Sequence, residues 1–546
     1  MLINSIMFYK NCYILIYSQN IIHLSNLYTF FFFDNYFNNL FKLLEILPEF
    51  SLFILILINL INLLYSNAKN EYNKWFIFFV FLLVLYLYKF SIYICVYNGI
   101  YVLFNFCWIS TIFILMAKIL ILFAVVFYFI TINFSIQKCN KHVLIEFCWL
   151  IGISLFFIFA LLNSYNFFFA YINIEGLSLI LYIIASCINN NFISKESSFK
   201  YLALSSIASG LLLIGIIWFF TAINSLNFNT LGYYFLEVNY NNTFELHMQL
   251  AIILIFIAFL FKIGAFPCYY WIPDVYVGIW TPITFYFSTI IKLSLFLFFF
   301  KFTYNVNYNV FFFWKNLLLF ASIGSILTGA LGASYQINFK KFIAYASVNQ
   351  TGFILLGLTT GNIYGLKASL IFIIVYTIMN IVFFSIILNT INLITGRNIY
   401  YINDLTGLAY YNPISCLIFI SCIFSMAGIP PYAGFFSKFY IFFSFVKMNC
   451  FLLNNNIQNY NLFVILLLSL ISSFYYINII KQLFFEKNNI NTFFWFIYNT
   501  KLKILLGINI FILTFWLFFF NPISYFFELM TISCIAPFTC AFVFVY

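Results

Sequence analysis

Apolar runs of about twenty residues, separated by short polar segments, recur along the chain from residue 46 onward. A run of about 20 apolar residues in a helix crosses the hydrocarbon core of a bilayer. Within that core only helices and closed barrels satisfy their backbone polar groups. The pattern therefore predicts an all-α integral membrane protein with about fourteen transmembrane helices. Their expected ranges are 46–66, 74–96, 105–133, 144–163, 167–188, 200–222, 248–272, 279–300, 316–335, 341–358, 366–392, 413–446, 461–481 and 502–520.

Three segments do not fit a single straight span. Residues 413–446 are too long for one uninterrupted helix. Residues 1–45 are apolar but interrupted by polar residues, so we expect an N-terminal extension there. The tail that follows Pro522 is either an interfacial segment or a further transmembrane span.

Basic loop residues separate into two groups when successive loops are assigned to alternate sides of the membrane. One side receives Lys69, Lys74, Lys138, Lys141, Lys195, Lys200, Lys340, Lys341, Arg397, Lys481, Lys487, Lys501 and Lys503. The other side receives Lys10, Lys42, Lys301, Lys315, Lys367 and Lys447. Because inner loops carry the excess of Lys and Arg, we expect the first side to be the matrix or cytoplasm. Both termini should then lie on the opposite side.

Composition supports the membrane assignment and excludes several chemistries. Hydrophobic residues make up 65% of the chain and charged residues 7%, whereas soluble proteins carry about 25% charged residues. The 12 cysteines form no CxxC pair, and His23, His142 and His247 are dispersed, so no iron–sulfur cluster or metal site is indicated. GxGxxG and P-loop motifs are lacking. The net charge of +11 resides in membrane loops, so no nucleic-acid partner is expected.

The aromatic content of the chain indicates where it is encoded. The chain contains 82 Phe and 42 Tyr but 20 Gly, 9 Pro and a single arginine. This bias favours residues with AT-rich codons, as in organellar genomes. The N-terminus also lacks the Arg- and Ser-rich pattern of a cleaved transit peptide. We therefore expect an organelle-encoded protein.

Isolated charges inside the predicted spans are the candidates for function. They are Glu175, Lys89, Lys118, Lys262, Lys292 and Lys438. A lysine near the bilayer centre costs at least about 2.5 kcal/mol, so its presence needs a reason. Lys262 and Lys292 lie too far from the ends of their spans for the side chain to snorkel to the headgroups. Lys89 is close enough to do so, and Lys118 is intermediate.

Buried lysine and glutamate side chains can exchange protons. Burial destabilises the charged form of each, and a neighbouring carboxylate stabilises an ammonium group. A glutamate and several lysines along the midplane of a membrane can therefore relay protons, as ionisable residues do in pumps. The alternative is a static buried ion pair that fixes the register of the helices.

Helix-breaking residues accompany two of these lysines. The breakers beside Lys262 and Lys438 are Pro267, Pro273, Gly428, Pro430 and Pro431. Proline frees carbonyl groups that lipid cannot satisfy, so such breaks belong in protein-lined, hydrated paths. In transporters, broken helices at corresponding positions of inverted repeats mark the ion site. The alternative is that these prolines only kink packing helices.

The positions of the breaks suggest how the chain is divided. The two broken helices are an odd number of crossings apart, so they run in opposite directions, as inverted repeats require. The predicted segments are an N-terminal extension at 1–45, transmembrane helices at 46–143, two inverted five-helix repeats at 144–300 and 301–481, and a C-terminal helix and tail at 482–546.

Five stretches of the chain resemble one known family. They are YINIEGLSLILYIIA, SSFKYLALSSIASGLLLIG, FKIGAFPCYYWIPDVYVGIWTPITFYFSTIIK, NFKKFIAYASVNQTGFILLG and DLTGLAYYNPISCLIFISCIFSMAGIPPYAGFFSKFYIF. In order and spacing they resemble the antiporter-like subunits of complex I, which are related to Mrp-type cation/proton antiporters. The similarity covers about residues 105–520, and GIPPYAGFFSKFY resembles the subunit 2 form.

The resemblance implies roles for individual residues. Glu175 matches the glutamate that pairs with the lysine of the first broken helix, here Lys262. Lys292 matches the connecting lysine, and Lys438 matches the terminal lysine of the second half-channel. Lys200 matches a basic position of the family, although an ordinary interfacial lysine fits there equally well.

The chain departs from the family pattern at two places. Tyr269 and Gln350 stand where the family often has histidine. Both can hydrogen-bond to a water chain, but neither readily titrates near neutral pH. A histidine-based central step is therefore not expected, and Tyr269 and Gln350 become candidate polar relay groups.

The resemblance also implies a function for the whole chain. It would be a proton-translocating membrane-arm subunit of NADH:ubiquinone oxidoreductase in the mitochondrial inner membrane. The flavin, iron–sulfur clusters and quinone would be held by partner subunits, among them neighbouring antiporter-like subunits, and phospholipid would surround the chain. The alternatives are a subunit of an Mrp-type sodium/proton antiporter and a membrane scaffold that does not pump.

Overall fold

The computed structural model describes residues 48–57, 71–96, 101–103, 107–137, 141–187, 192–237, 246–305, 311–392, 400–406, 408–449, 455–484, 494–496 and 500–541. The chain forms two compact units, Met1–Ser51 and Leu52–Tyr546. Within the first unit, residues 48–51 are described, and they are helical. The predicted extension at 1–45 lies outside the described residues. The two predicted repeats both belong to the second unit, and the boundary between them stays a prediction.

Helices make up most of the described chain, because long apolar stretches leave the backbone few other ways to satisfy its polar groups in lipid. The α-helices are α1 (Pro48–Leu57), α2 (Glu71–Val96), α3 (Ile112–Gln137), α4 (Lys141–Asn163), α5 (Phe167–Cys187), α6 (Phe192–Ile223), α7 (Phe228–Glu237), α8 (Leu246–Ile263), α9 (Trp271–Gly278), α10 (Thr281–Tyr286), α11 (Lys292–Asn305), α12 (Phe311–Ser334), α13 (Phe339–Leu358), α14 (Ile363–Asn389), α15 (Leu408–Tyr411), α16 (Pro413–Ala427), α17 (Ala433–Asn449), α18 (Asn455–Phe484), α19 (Thr500–Thr514) and α20 (Phe520–Ala541). A π-helical turn, Phe287–Ile291, joins α10 to α11, and Ile402–Leu405 is a 3₁₀ helix.

The predicted multi-pass membrane fold is confirmed. Within the described ranges, 8 helical segments are long and apolar enough to cross a membrane. They are Ile112–Ile132, Glu146–Asn163, Phe167–Ser186, Phe192–Ile223, Thr281–Tyr304, Trp314–Ser334, Ile363–Asn389 and Phe463–Phe484. Shorter apolar helices include Pro48–Leu57, Trp75–Phe90, His247–Ile263, Pro413–Ala427 and Leu502–Thr514. Each of the predicted ranges contains a described helix.

Two short antiparallel strand pairs lie between the helices. Strand β1 (Tyr101–Leu103) pairs with β2 (Trp108–Ser110), and β3 (Thr390–Asn392) pairs with β4 (Phe494–Phe496). The first pair corrects the predicted span at 105–133, because its helix begins only at Ile112. Apolar residues in a buried strand and in a buried helix look alike over so short a stretch.

The first helix break follows Lys262 closely. Helix α8 ends at Ile263, and Gly264 has a positive φ of 75°, a conformation that favours glycine. The indole nitrogen of Trp271, at the start of α9, donates to the Phe261 carbonyl at 3.0 Å. Pro267 lies in the break, as predicted. Pro273 does not, because it falls in the first turn of α9, where a missing N–H costs nothing.

The second helix break divides the predicted span at 413–446. Helix α16 ends at Ala427, and Gly428 adopts a positive φ of 84°. Pro430 and Pro431 occupy the break, and α17 begins at Ala433. The prediction that this stretch is not one straight helix is confirmed. In each predicted repeat, the broken helix is the fourth of five.

Two groups of helix ends define the two faces of the bundle. At the first face, the start of α6 meets the end of α9, where Ser197 lies so close to Gly278 that a side chain there would clash. Lys340, at the start of α13, donates to the Ile279 carbonyl at the same place. The starts of α6 and α13 thus share one face, as the alternation of loops predicts.

At the second face, the end of α11 meets the turn between α4 and α5. Lys301 donates to the carbonyls of Leu162 and Ser164 at 2.7 Å each. The hydroxyl of Tyr304 donates at 3.1 Å to the carbonyl of Asn362, which precedes α14. This face therefore gathers the ends of α4 and α11 and the start of α14, again as the alternation predicts.

The C-terminal helix α20 lies against the second face. Phe520 stacks on Tyr440 of α17 with ring centroids 5.1 Å apart, and Glu528 forms a salt bridge with Lys367 of α14. Farther along, Cys534 lies beside the end of α11, and α20 also packs on α3. Glu528 and Cys534 lie near helix ends of this face, whereas Tyr440 lies in the middle of α17. The choice between an interfacial segment and a further span stays a prediction.

Candidate functional site

Lys262 and Lys292 line one interior cavity. Lys262 lies in the last turn of α8, and Lys292 follows the π-helical turn at the start of α11; their exposed fractions are 9% and 3%. The cavity between them has a volume of about 20 Å³ and is also lined by Ser178, Tyr201 and Tyr276. A polar cavity of about 10–15 Å³ holds one water. One bridging water therefore fits between the two lysines.

Glu175 does not form the direct ion pair with Lys262 that the resemblance implied. Among the described residues no carboxylate lies within 4.0 Å of the Lys262 ammonium, although Glu175 is near enough to act on it electrostatically. The Lys262 Nζ and the Glu175 Oε1 are both buried, and neither has a hydrogen-bond partner in the described part of the chain. Ser178 lies 3.5 Å from the other carboxylate oxygen. Lys262 and Ser178 line the cavity, so a water there could reach the Lys262 ammonium and the serine that neighbours the Glu175 carboxylate.

Lys292 connects the first cavity to helix α13. Its Nζ donates to the Ser347 hydroxyl at 2.9 Å, and that hydroxyl donates to the Ala344 carbonyl at 2.7 Å. Tyr276 lines the same cavity as Lys292, and the Tyr376 hydroxyl donates to the Ser288 carbonyl at 2.9 Å. Ser347 therefore joins a buried cation to the backbone of α13 in the middle of the bundle.

A second, smaller cavity continues from Ser347. It has a volume of about 10 Å³, and Gln350, Tyr376, Met426 and Tyr476 contribute to its lining. The Gln350 amide nitrogen donates to the Met426 carbonyl at 3.4 Å and to the Tyr476 hydroxyl at 3.3 Å. Its oxygen is buried without a partner among the described residues. The cavity thus reaches from Ser347 to the end of α16.

Lys438 binds the end of α16 from across the second break. Its Nζ donates to the carbonyls of Met426 at 3.2 Å and of Ala427 at 2.9 Å. These carbonyls lack helix partners because α16 ends there, and the negative end of the helix dipole favours a cation. The Phe353 ring lies 5.0 Å from Nζ. A Cβ at Gly428 would come within 2.9 Å of the lysine side chain, so glycine also leaves room for it.

The polar groups form one connected series through the interior. Its first part leads from Lys262 through the first cavity to Lys292, which binds Ser347. Its second part leads from Ser347 through the second cavity to Gln350. Gln350 and Lys438 both donate to the Met426 carbonyl, where the series ends. The series joins the two helix breaks. A role for these residues in proton relay stays a prediction.

Two candidates from the sequence lie outside this series. Tyr269 is half-buried in the first break and stacks on the exposed Tyr270 at a centroid distance of 4.3 Å. Lys200 is exposed and forms salt bridges with Glu196 at 2.9 Å and with Asp274 at 3.7 Å. Lys200 therefore fits the interfacial interpretation, and it ties α6 to α9 beside the first break.

Lys118 lies in an aromatic environment away from the two cavities. It is 1% exposed, and its Nζ is 5.5 to 6.0 Å from the rings of Tyr86, Trp108 and Phe159. Lys89 is half-buried, with Nζ 5.7 Å from the Tyr86 ring. Neither lysine lines the cavities that contain Lys262, Lys292 and Gln350.

Lys301 was predicted to lie in a loop, but it lies inside helix α11. The sequence places it one residue beyond the span at 279–300, but it is 2% exposed and binds the Leu162 and Ser164 carbonyls. It also lies near enough to Lys118 for their charges to interact. Aromatic and apolar residues on both sides of Lys301, in FFFKF, were the signal that the span continues.

Comparison with known proteins places these features in a family. The family model for NADH:quinone oxidoreductase/Mrp antiporter, TM, matches residues 164–457. The chain is 36% identical over 360 residues to NADH-quinone oxidoreductase subunit N of Pelagibacter ubique (strain HTCC1062), which covers 66% of this chain and 73% of that protein. It is 32% identical over 381 residues to NADH-ubiquinone oxidoreductase chain 2 of Arabidopsis thaliana, with coverages of 69% and 73%.

Solved structures show the same fold at low sequence identity. A chain of respiratory complex I from Thermus thermophilus with bound aureothin matches with a TM-score of 0.70 and 18% identity, over 87% of this chain and 98% of that chain. A chain of the Mrp complex from Dietzia sp. DQ12-45-1b matches with a TM-score of 0.72 and 14% identity, over 90% and 96%.

Proposed function

Because the chain belongs to the NADH:quinone oxidoreductase/Mrp antiporter family of membrane proteins, we propose that it is a proton-translocating subunit in the membrane arm of a respiratory NADH:ubiquinone oxidoreductase (complex I). Its relatives named subunit N and chain 2 support the subunit 2 type. Quinone reduction in partner subunits drives proton transfer through this chain.

The observation that carries the proposal is the buried series that joins the two helix breaks. Lys262, Lys292 and Lys438 are each less than a tenth exposed, and hydroxyl, amide and carbonyl groups connect them through two small cavities. A proton that leaves one lysine turns its ammonium into an amine, and the accepting amine becomes an ammonium. Water and hydroxyl groups between them pass protons without a net change of their own.

Redox chemistry belongs to the partners in this proposal. The flavin, iron–sulfur clusters and quinone are bound by other subunits, and this chain holds none of them. Neighbouring antiporter-like subunits cover part of its surface, and phospholipid covers the rest. Exposed apolar side chains such as Phe199, Phe320 and Phe474, each more than half exposed, support such contacts.

We place the protein in the mitochondrial inner membrane, encoded by the organelle. Its bias toward Phe and Tyr and its near lack of arginine support an AT-rich organellar gene. A chain 2 relative from Marchantia polymorpha, 33% identical over 370 residues, is consistent with this location.

Co-purification combined with proton-transport measurements tests the proposal. A tagged chain should purify with a large NADH-oxidising complex, and vesicles containing that complex should acidify on addition of NADH and quinone. Isolation of the chain with sodium/proton exchange activity but without NADH oxidation would favour the antiporter alternative. A complex that oxidises NADH and pumps equally well when Lys262, Lys292 and Lys438 are all replaced by Met would support a scaffold.

A further inference from the structure

Helix α18 contributes a pair of buried tyrosines beside the second cavity. The rings of Tyr475 and Tyr476 have centroids 4.2 Å apart. The Asn349 amide nitrogen donates to the Tyr475 hydroxyl at 3.0 Å, and the Gln350 amide nitrogen donates to the Tyr476 hydroxyl at 3.3 Å. All four side chains are at most 3% exposed. Adjacent residues of α13 thus each bind one tyrosine of α18.

The two tyrosines differ in what their partner touches next. Gln350 also donates to the Met426 carbonyl, which accepts a hydrogen bond from Lys438 as well. A carbonyl oxygen has two lone pairs and can accept both. Asn349 instead packs closely against α12. A Cβ added at Gly329 of that helix would lie only 2.5 Å from the Asn349 backbone nitrogen. Through Gln350, Tyr476 is therefore connected to the end of α16. Through Asn349, Tyr475 is connected to the contact between α13 and α12.

The amide of Gln350 is oriented by its two acceptors. Its nitrogen carries two hydrogens, and the Met426 carbonyl and Tyr476 hydroxyl take one each. The oxygen is then left as an acceptor, and it is buried without a protein partner among the residues described. Because Gln350 lines the second cavity, a water there can donate to this oxygen.

We propose that Tyr476 is a positioning residue for the proton step between Lys292 and Lys438. Its hydroxyl holds the Gln350 amide so that the nitrogen meets the Met426 carbonyl and the oxygen is free to bind a water of the second cavity. The proposal rests on the proposed proton-translocating function and deepens it. In this step the Lys292 ammonium gives a proton to the Ser347 hydroxyl, which gives its own to the water of the second cavity. That water releases one proton in turn, and the Lys438 amine, on the other side of the Met426 carbonyl, accepts it. Gln350 and Tyr476 neither gain nor lose a proton.

Matched variants of the two tyrosines test the inference in the assembled complex. Tyr476→Phe removes the hydroxyl that orients Gln350, whereas Tyr475→Phe removes a hydroxyl from the same ring pair but leaves the Gln350 contacts in place. Loss of one buried hydrogen bond corresponds to about a fivefold effect. We expect Tyr476→Phe to slow proton translocation about fivefold, lowering the number of protons moved per NADH oxidised, and Tyr475→Phe to leave that number near the unmodified value.

The readout separates positioning from packing. A packing defect lowers the amount of assembled complex and its NADH oxidation in uncoupled membranes, without changing the number of protons per NADH in the complexes that remain. Equal proton numbers in Tyr476→Phe and Tyr475→Phe would overturn the inference. If Tyr476→Phe did not assemble, Gln350→Met would replace it, and a normal proton number in that variant would overturn the inference as well.

A reference variant keeps this test separate from that of the proposed function. Lys438→Met should lower the proton number if the chain pumps through Lys438. A lowered number in Lys438→Met together with an unchanged number in Tyr476→Phe would contradict only the role of Tyr476. An unchanged number in Lys438→Met would contradict the proton path itself.

Discussion

The two lysines beside the helix breaks differ in what surrounds their ammonium groups. At the first break, Trp271 donates to a carbonyl at the end of α8, and the Lys262 Nζ has no hydrogen-bond partner within the described chain. At the second break, Lys438 itself donates to two carbonyls at the end of α16. Lys438 therefore has a structural contact that Lys262 lacks, and its charge and its hydrogen bonds must be tested separately.

Lys438→Met removes the charge and both hydrogen bonds while keeping a side chain of similar length. The Met426 carbonyl keeps the hydrogen bond from Gln350, but the Ala427 carbonyl is left without a donor, which costs about 1–3 kcal/mol if water cannot reach it. We expect an assembled complex with reduced thermal stability and strongly impaired proton translocation. Both are measurable, by thermal inactivation of NADH oxidation and by acidification of vesicles.

Lys438→Gln is the matched control for that variant. The amide can still donate to a carbonyl at the end of α16, above all that of Ala427, but it carries no charge and does not titrate. If Lys438 carries protons, Gln should restore stability without restoring translocation. Recovery of translocation in the Gln variant would mean that Lys438 only satisfies the carbonyls of α16.

Glu175→Gln tests whether the carboxylate matters without direct contact to Lys262. The change preserves volume and removes the charge that acts on Lys262. Charges that interact through a hydrated path are weakly coupled, so we expect normal assembly and a partial loss of proton translocation, about tenfold or less. Unchanged translocation by Glu175→Gln complexes over the range pH 6–8 would show that Glu175 is not part of the path.

The sequence predicts some residues of the site well and others poorly, for a physical reason. Lys262, Lys292 and Lys438 are visible because a charge in an apolar span is costly and therefore rare. Ser347 and Tyr476 are ordinary residues of apolar helices, and only packing brings them to the cavities. Tyr269 lies outside the two cavities, because a sequence does not show to which side of a helix break a side chain turns, and its role as a polar relay stays a prediction.

At the scale of elements, the two breaks are the features that place the site. Each break begins at a glycine with positive φ directly after a helix end, Gly264 after α8 and Gly428 after α16. Prolines then prevent the helix from continuing. Glycine and proline near a buried lysine predicted both breaks, but the exact extent of each required the structure, as the position of Pro273 inside α9 shows.

Gly428→Ala should disturb the second break. A non-glycine residue in this backbone region costs about 1 kcal/mol or more, and the new Cβ would come within 2.9 Å of the Lys438 side chain. We expect a lower thermal midpoint of the complex and reduced proton translocation.

Gly210→Ala in α6 is the control for Gly428→Ala. Nothing lies within 4 Å of a Cβ at Gly210, and alanine favours a helix over glycine by about 1 kcal/mol. This variant should be neutral or slightly stabilising. Equal behaviour of the two alanine variants would show that the Gly428 conformation does not matter.

At the scale of the whole molecule, the helix ends sort onto two faces as the loop charges predicted. Lys195 and Lys341 belong to the face where α6 and α13 begin, and Lys447 lies at the other, 3.6 Å from the ring of Tyr364 at the start of α14. The charge pattern predicted this alternation, but it could not place α20. An apolar helix of that length is compatible with either a span or a face.

Amine labelling of intact and inverted inner-membrane vesicles tests the orientation. Lys195 is exposed and Lys341 half-buried, so both should react with an impermeant reagent from the matrix side. Lys447 should react only from the opposite side. Labelling of Lys195 or Lys341 from the outer face would contradict the positive-inside assignment.

The small volumes of the two interior cavities limit what can pass between the helix breaks. A metal ion that crosses a protein needs several oxygen ligands to replace its hydration shell. The cavities at Lys262 and at Gln350, of about 20 and 10 Å³, each admit about one water. The lysine ammonium groups, when charged, repel any other cation. A proton needs neither a ligand shell nor an open channel, because it moves from one hydrogen bond to the next. Under the proposed function, cavity size and ammonium charge together favour protons over sodium on this path, and exchange of sodium by this chain would require a different route.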